Sequence, residues 1–573
     1  MPGGIPYIIG NEAAERFSFY GMKAILSVFM IQYLHFMGAS PAEPLTQAEV
    51  SARFHLFSGL VYLTPFLGAL LADIVFGKYR VIIWLSLVYC LGHAFLAMMG
   101  TLGSPVLWLN LGLAMIILGS GGIKPCVSAH VGDQFGPNNQ HLMSRVFNWF
   151  YWSINLGAAA SMFLTPVLLN RYGPHWAFGV PGVLMAVATL FFWLGRRKFI
   201  HVPAGEREFV RELVSPDHLP HLGKLAVVYF IFVAMFWALF DQTGSSWIFQ
   251  AYDMDRKIGN WEVLPSQIQS VNSIFVLTFI PLFTYLLYPA IHRVWPLTPL
   301  RKISMGLFVM VTAFALTSVI QEWIEQGERP SILWQIAAYA LLTASEVMIS
   351  ITALEFAYKQ SPKRMKSFIM CFYLSAVFFG NVFTSGVNKV IQIPELEPSQ
   401  SSGYDQIVGT EDDLIFGEGS FVSSAATPIL AEAVSALEEY VEEGDALPTE
   451  NEAKPLFEEF SDPWGNPLRY ELLNSNTARV SSDGPDEKRR TRWDLGSLIT
   501  LTASEEEETK ATWLERRKEK LGVVENTVAS EQVGKVSAAS YAGGQTRLEG
   551  AGYFWFFTWL MLGTSVLFLP VVK

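Results

Sequence analysis

The chain has 573 residues, of which 51% are apolar, 14% aromatic and only 16% charged. Soluble proteins carry roughly a quarter charged residues, so this composition excludes a soluble enzyme, a disordered chain and a disulfide scaffold. The formal net charge of −11 is unevenly held: Glu395 to Glu549 contain 32 acidic and 14 basic residues, a net of −18, and the remainder is +7.

Apolar runs long enough to cross a bilayer fall at about 12–37, 53–75, 79–100, 105–127, 145–169, 176–195, 222–243, 266–290, 301–320, 331–358, 367–391 and 551–571. The first holds Glu12, Glu15 and Arg16, so no cleavable signal peptide is expected. Cys90, Cys126 and Cys371 lie in apolar runs and form no disulfide or zinc framework. Loops after even-numbered spans hold Lys78 and Arg80; Arg196, Arg197 and Lys198; Arg293, Arg301 and Lys302; and Lys359, Lys363, Arg364 and Lys366. The positive-inside rule then puts both termini in the cytoplasm of a multi-pass cell (inner) membrane protein, and the acidic stretch outside.

Twelve spans with a basic central loop are the layout of the major facilitator fold. The fold class expected is an all-α polytopic membrane protein with twelve transmembrane helices in two six-helix halves and a small extracytoplasmic α+β insert. The domains expected are 1–195, a cytoplasmic linker 196–221, a second half made of 222–393 and 551–573, and the insert 394–550. The segment from Gly68 through Asp73 and Gly77 to Arg80 resembles that superfamily's cytoplasmic loop signature. The basic residues are scattered at span ends and the insert is acidic, so no nucleic-acid partner is expected.

Charges inside the spans are costly and mark a pathway or a site. In span one, Glu12, Glu15, Arg16, Tyr20 and Lys23 fall on one arc of about 140° at 100° per residue. A snorkelling helix end accounts for Glu12 but poorly for Lys23, about a dozen residues deeper. Span two carries His55 and Tyr62 on one face, followed by Pro65 and Gly68, where a helix can bend. A histidine there is either a packed, hydrogen-bonded residue or part of the site. Span four presents Gly119, Gly121, Gly122 and then Lys124, which needs an anionic partner, such as a span-one glutamate, or an aqueous cavity. Asp241 is the sole acid of span seven, and Glu346 is central in span ten. Glu355, about 180° away, reads as a structural or gating partner. Cations on one wall (Lys23, Lys124, with Arg16) and acids on the other (Asp241, Glu346) suit a short zwitterion. Carboxylates in a low dielectric also suit proton carriers.

These residues stand in motifs. They are Glu12-x-x-Glu15-Arg16, Gly121-Gly122-Ile-Lys124-Pro-Cys-Val-Ser with Gly132-Asp133-Gln134-Phe135, and Phe150-Tyr151-Trp-Ser-Ile-Asn155. Phe236-Trp237-Ala-Leu-Phe240-Asp241-Gln242, Glu346-Val and Leu354-Glu355-Phe356 complete the set. Over about 1–392 and 551–571 the sequence resembles the proton-coupled oligopeptide transporters of the major facilitator superfamily. The resemblance implies a non-enzymatic symporter that imports di- and tripeptides with protons across the bilayer and needs no cofactor. By position it implies a peptide pocket of Tyr20, Lys23, Tyr62, Lys124, Asn155, Trp237, Asn272 and Glu346. It implies proton coupling by Glu12, Glu15, Arg16, His55 and Asp241. His55 matches a span-two histidine of animal and some bacterial members. In the implied cycle, peptide and protons weaken charge pairs, among them Lys124 with a span-one glutamate, and the halves then rock.

There are departures. Lys23 stands where the family usually has Arg, and lysine lacks the planar bidentate fork. Phe19 replaces a usual Tyr, and Tyr373 stands where Trp is expected. The central loop is too short for the extra helix pair of many bacterial members.

The insert is too long for a simple loop. Its ends, 395–425 and 525–550, read as linkers, and 425–443 as a helix. The charged stretch 505–521 reads as a solvent-exposed helix. The middle resembles the soluble C-terminal part of type II secretion pseudopilins, which implies Ca²⁺ held by Asp483, Asp486 and Asp494. The alternative is a solvated acidic loop without metal. Two rival functions stand beside peptide symport: transport of another anion or zwitterion, such as nitrate or a modified amino acid, and a membrane assembly protein whose insert recruits a protein partner.

Overall fold

The computed structural model describes residues 1–201, 223, 225–360, 366–417, 420–444, 446–502, 512–521 and 535–572. Most of the expected central linker, and the run Lys363 to Arg364 after span ten, lie outside the described residues, as do the side chains of Asp73, Lys359, Lys366 and Cys371.

A helix stands at each of the twelve expected spans. Span one is α1 (Ile5–Val28), continued by a π turn and a 3₁₀ turn to Phe36. Then come α2 (Gln47–Leu70), α3 (Lys78–Ala97), α4 (Pro105–Asp133), α5 (Met143–Tyr172) and α6 (Pro174–Leu194). Span seven is broken into α7 (Ala234–Phe240) and α8 (Ser246–Tyr252), and span eight into α9 (Ser270–Leu282) and α10 (Tyr288–Val294), with a short hairpin of β1 (Lys257–Ile258) and β2 (Trp261–Glu262) between the two spans. Next are α11 (Pro299–Glu325), α12 (Ile332–Gln360) and α13 (Lys366–Val390). Span twelve is α17 (Gly550–Val572).

Among the described residues, ten of these segments are long and apolar enough to cross a membrane by composition. Span two is not among the ten, and it buries Ser51, His55, Ser58 and Thr64. Thr46 caps it with a reciprocal Thr46–Glu49 box, which satisfies two orphan donors at its start. It runs through Pro65, continues beyond Leu70 as a π-helix over Leu71–Phe76 and stops at Gly77, whose φ of 78° lies in the left-handed region that glycine tolerates. A Cβ at Gly68 would collide with the Gly122 carbonyl, so the glycines of spans two and four are there for close backbone approach.

Buried side chains collect into separate cores. One, with Phe19, Phe29, Phe54, Tyr89 and Phe178, is built mainly from spans one to six. Another, with Phe236, Trp247, Phe314 and Phe557, is built from spans seven to twelve. Spans two and eleven pack against each other across the two, as do spans five and eight.

A third core belongs to the insert. Its sheet has the antiparallel order β5 (Arg469–Asn474), β6 (Thr477–Ser482), β7 (Leu495–Thr502), β8 (Lys535–Ala542). Helix α14 (Thr427–Gly444) packs on that sheet. It buries Leu430, Ala433, Val434, Leu437 and Val441, a stripe at helical spacing, and turns Glu432, Glu438 and Glu439 to solvent. A short helix α15 (Glu450–Phe457) and a hairpin of β3 (Leu414–Gly417) and β4 (Ser420–Ser424) complete it.

The described parts of the ends expected to be linkers are structured. They hold β3, β4 and β8, and the bridges Gln392–Thr546 and Glu395–Gly543 tie the two roots of the insert together. The charged stretch expected in solvent supplies α16 (Trp513–Lys520), and it is docked on the bundle.

At the junction with the bundle, Asn474 Nδ2 donates to Asp253 Oδ1 at 3.1 Å. Burial pushes the Asp253 carboxyl up to about 6, against the pull of Arg329 and Arg256. A carboxyl whose folded pKa lies above its unfolded one near 3.9 favours the fold while protonated. Stability is therefore lost as pH rises through about 4 to 6. Asp253→Asn is expected to remove about 1–2 kcal/mol of that loss, with partial exposure allowed for. Melting curves of the intact protein in detergent at pH 4.5 and pH 7 check this; equal pH sensitivity in both proteins contradicts it.

Candidate functional site

Span one brings its charges inward. Arg16 Nε donates to Glu12 Oε1 at 2.7 Å and lies 3.4 Å from Glu15 Oε2. Ser120 of span four donates to Glu15 Oε1 at 2.6 Å. Both carboxylates are buried, so they are acceptable there only because this cluster pairs and hydrogen-bonds them.

The expected pairing of Lys124 with a span-one glutamate is replaced by that cluster. Arg16 occupies the glutamates, and among the described residues Lys124 Nζ has no hydrogen-bond partner. The ammonium lies over two rings instead, 3.6 Å from the centroid of Phe19 and 4.7 Å from that of Tyr62. Phe19, the departure from Tyr, thus gives Lys124 a π face and no hydroxyl.

Lys23 does not stand free in a pocket. Its Nζ meets Asp241 Oδ1 at 2.7 Å, an ion pair between span one and the break in span seven. Asp241 Oδ2 accepts from Asn381 Nδ2 at 2.6 Å. His55 Nδ1 lies 2.8 Å from Asn381 Oδ1, and its Nε2 lies 3.0 Å from Ser245 Oγ. With the Asn381 amide donating to Asp241, its oxygen accepts, so Nδ1 of a neutral His55 carries the proton and Nε2 accepts from Ser245.

The break in span seven makes this geometry. A 3₁₀ turn over Asp241–Gly244 leaves carbonyls unpaired. Ser27 of span one donates to Gly244 O at 2.5 Å, and Tyr339 to Thr243 O at 3.5 Å. Further hydrogen bonds join the halves from Gln269 to Ala24 O, Ser385 to Ala52 O and Tyr252 to Gln32. All of these lie in the part of the bundle nearer the insert, and together they close it there.

In the second half, Asn272 Nδ2 donates to Glu346 Oε2 at 2.8 Å and to Thr343 Oγ1 at 3.0 Å. Tyr20 sits within electrostatic reach of Glu346 and Asp241, and Tyr151 within reach of Glu346. Asn155 is buried and donates to Tyr151 O at 3.0 Å. The indole N–H of Trp237 is buried without a partner among the described residues. At the opposite end, Lys78 Nζ pairs with Asp133 at 2.9 Å, and Gln134 ties span four to Ile200.

Asn381, Ser245, Ser120 and Thr343 were not singled out from the sequence. All are neutral polar residues, which a single sequence does not separate from ordinary packing groups.

The Ca²⁺ expectation for the insert is corrected. Asp483 pairs with Arg469, and Asp494 accepts the backbone N–H groups of Arg490 and Thr491 at 2.9 Å each. Asp486 accepts from Lys488 N at 3.3 Å. The carboxylates shape loops and neutralise an arginine, and no metal-sized acidic group occurs among the described residues.

Residues 79–215 and 217–402 match the POT family, more than half of the chain. The chain belongs to the POT family. Among its relatives, Peptide transporter 3 of Caenorhabditis elegans is 35% identical over 404 residues, which cover 62% of this chain and 55% of that one. Solute carrier family 15 member 2 of Rattus norvegicus is 34% identical over 399 residues, covering 62% and 53%. The chain thus spans about half the length of these curated relatives. The crystal structure of the POT family transporter PepTSo is 38% identical with a TM-score of 0.62, covering 69% of this chain and 91% of that one. An auto-inhibited POT family peptide transporter is 34% identical with the same TM-score of 0.62, covering 68% and 89%. The POT match ends at 402, so the helical polytopic body is the shared part and most of the insert lies beyond it.

Proposed function

We propose that this chain is a proton-coupled symporter that imports di- and tripeptides by alternating access. The observation that carries the reading is the buried Lys124 ammonium, held over Phe19 and Tyr62 with no hydrogen-bond partner among the described residues, in the half facing Glu346. A peptide carboxylate supplies the missing partner and Glu346 receives the peptide ammonium. Tyr20, Tyr62, Asn155, Trp237 and Asn272 surround the backbone between them. The name of the Caenorhabditis elegans relative, Peptide transporter 3, supports the same substrate class.

The Lys23–Asp241 pair, backed by His55, is the junction between halves that protons weaken. Glu12, Glu15 and Arg16 form a second protonatable cluster beside Lys124. Both termini lie in the cytoplasm, by the basic loops, and the insert lies outside. One or two protons suffice as a driving force, since each charge gains about 2.3 kcal/mol per 100 mV.

Dialanine uptake into proteoliposomes, with and without an inward proton gradient, tests the reading. Accumulation that needs the gradient is expected. Absence of dialanine uptake by well-folded protein refutes it and turns attention to other small anions and zwitterions.

A further inference from the structure

At the insert side of the first half, the loops 37–46 and 98–104, after spans one and three, hold no lysine or arginine. Helix α16 brings cations there. A Thr512–Glu515 capping box starts it and turns Glu515 back on its own first turn. Trp513 and Leu514 pack on the first-half core, and the Trp513 ring stacks on Tyr33 with centroids 5.8 Å apart. A Cβ at Gly173, after span five, would strike the same indole. Arg517 donates from Nε to Phe36 O at 3.0 Å and from Nη2 to Gly38 O at 2.7 Å, and Arg516 Nη2 donates to Arg171 O at 2.7 Å. These carbonyls lie where spans one and five end and helix acceptors lose their partners.

Docked this way, α16 walls a cavity of about 230 Å³. Trp513, Arg516, Arg517 and Lys520 line it from α16, and Thr101 and His175 from the first half. Among the described residues no acidic side chain lines it. Arg517 keeps its Nη1 donors after its two carbonyl bonds, and Lys520 has no ion-pair partner among the described residues. His175 Nδ1 donates to Ala97 O at 2.7 Å, which leaves Nε2 for a ligand. The volume is below the roughly 300–1,000 Å³ of sites for drug-sized molecules, so the cavity suits a compact group. Cations without a carboxylate among them select an anion, and a guanidinium fits the oxygens of a phosphate.

Depth decides which phosphate. The first-half wall is made of span ends: Thr101 follows span three, and His175 opens span six. Tyr172 and Trp176, on either side of the turn between spans five and six, are exposed on the bundle. Amphipathic rings at span ends lie at the headgroup level of a bilayer. Leu102, next to Thr101, is exposed as well and gives an acyl chain an apolar neighbour. The cavity therefore sits at the height of lipid phosphates, with apolar surface beside it.

We propose that this cavity binds the phosphate of an anionic phospholipid from the insert-side leaflet. Lys520 and Arg517 neutralise the single charge of the phosphodiester, and His175 and Thr101 complete its hydrogen bonds. The lipid then joins α16 to the ends of spans three and six, which α16 does not reach with its carbonyl contacts. Basic residues at the membrane surface attract anionic lipids over neutral ones, so the site discriminates by headgroup charge.

Native mass spectrometry of the full chain, released from micelles doped with equal amounts of phosphatidylglycerol and phosphatidylcholine, tests this. The first lipid retained by the wild type is expected to be phosphatidylglycerol at least about tenfold over phosphatidylcholine, the effect of one or two charge-assisted hydrogen bonds. The double variant Lys520→Gln, His175→Ala leaves the Trp513 and Arg517 docking contacts in place and is expected to lose that preference. Lys518→Gln removes a charge from α16 that lies over the Phe36 ring at 5.7 Å and outside the cavity wall, and it is expected to keep the preference. Inorganic phosphate at millimolar concentration is expected to leave the lipid bound. A preference that survives in the double variant, or that Lys518→Gln abolishes equally, overturns the proposal. Displacement of the lipid by inorganic phosphate assigns the cavity to the free ion and overturns it as well.

Discussion

Lys124→Ala is expected to lower proton-driven dialanine uptake at least about thirtyfold. The ammonium of Lys124 lies among buried groups with two aromatic faces and no hydrogen-bond partner among the described residues. Cation–π contacts of about 0.5–2 kcal/mol each do not replace the hydration an ammonium loses on burial, which costs several kcal/mol. A bound carboxylate restores that loss through a charge-assisted bond in a low dielectric. Truncating one partner of such a pair costs about 2–5 kcal/mol, or roughly 30- to several thousandfold. Lys124→Arg keeps the charge but not the compact head that fits between Phe19 and Tyr62, so partial uptake is expected. The initial rate at low substrate is the quantity to compare. A Lys124→Ala rate within threefold of wild type contradicts the assigned carboxylate site.

The bundle was legible because its signals are long. A run of about twenty apolar residues has few readings, so each expected span coincides with a helix to within a few residues at most ends. Span two is instructive: its Ser51, His55, Ser58 and Thr64 lower its hydropathy, yet they are buried between spans rather than facing lipid. The charges were also legible, since Lys124, Asp241 and Glu346 have no low-cost place in a span. Their pairing was not. Periodicity placed Lys23 on the face of Glu12 and Glu15, but the break at Asp241–Gly244 carries Asp241 to Lys23 across the interface. No local signal foretold that Asn381, from span eleven, would join Asp241 to His55.

The insert shows the opposite balance. The amphipathic stripe of α14 marked that helix, whereas polar strands such as β8 read as linkers. Their order comes from ladder pairing with β7, a non-local contact that composition does not encode. Helix α16 misled for a related reason. Its arginines looked solvated, but a guanidinium is also the natural cap for free carbonyls at the ends of spans one and five.

Asp241→Asn is expected to abolish gradient-driven accumulation of dialanine, at least about tenfold, while peptide exchange without a gradient persists. Asp241 holds Lys23 at 2.7 Å across the two halves and is itself held by Asn381. Asparagine keeps the shape and the acceptor toward Asn381 but carries no charge, so it stands for an aspartate that never releases its proton. Lys23 then lacks its counter-ion, and removing one member of a buried pair costs about 3–5 kcal/mol. That cost falls on the conformation closed at the insert side, because the pair exists only while the halves meet there. With the cost permanent, a proton no longer decides whether the junction holds, and the gradient loses its grip on the cycle. Exchange separates loss of coupling from loss of the whole cycle: a variant that neither accumulates nor exchanges contradicts the prediction, and one that accumulates normally shows that the Lys23–Asp241 junction does not carry proton coupling. The His55–Asn381 link predicts a graded companion. Asn381→Ala removes one hydrogen bond to Asp241 and leaves the charge pair, so its loss of accumulation should be smaller than that of Asp241→Asn. The order of the two effects, measured in the same proteoliposomes, tells whether the charge or the hydrogen-bond network around it is the element on which protons act.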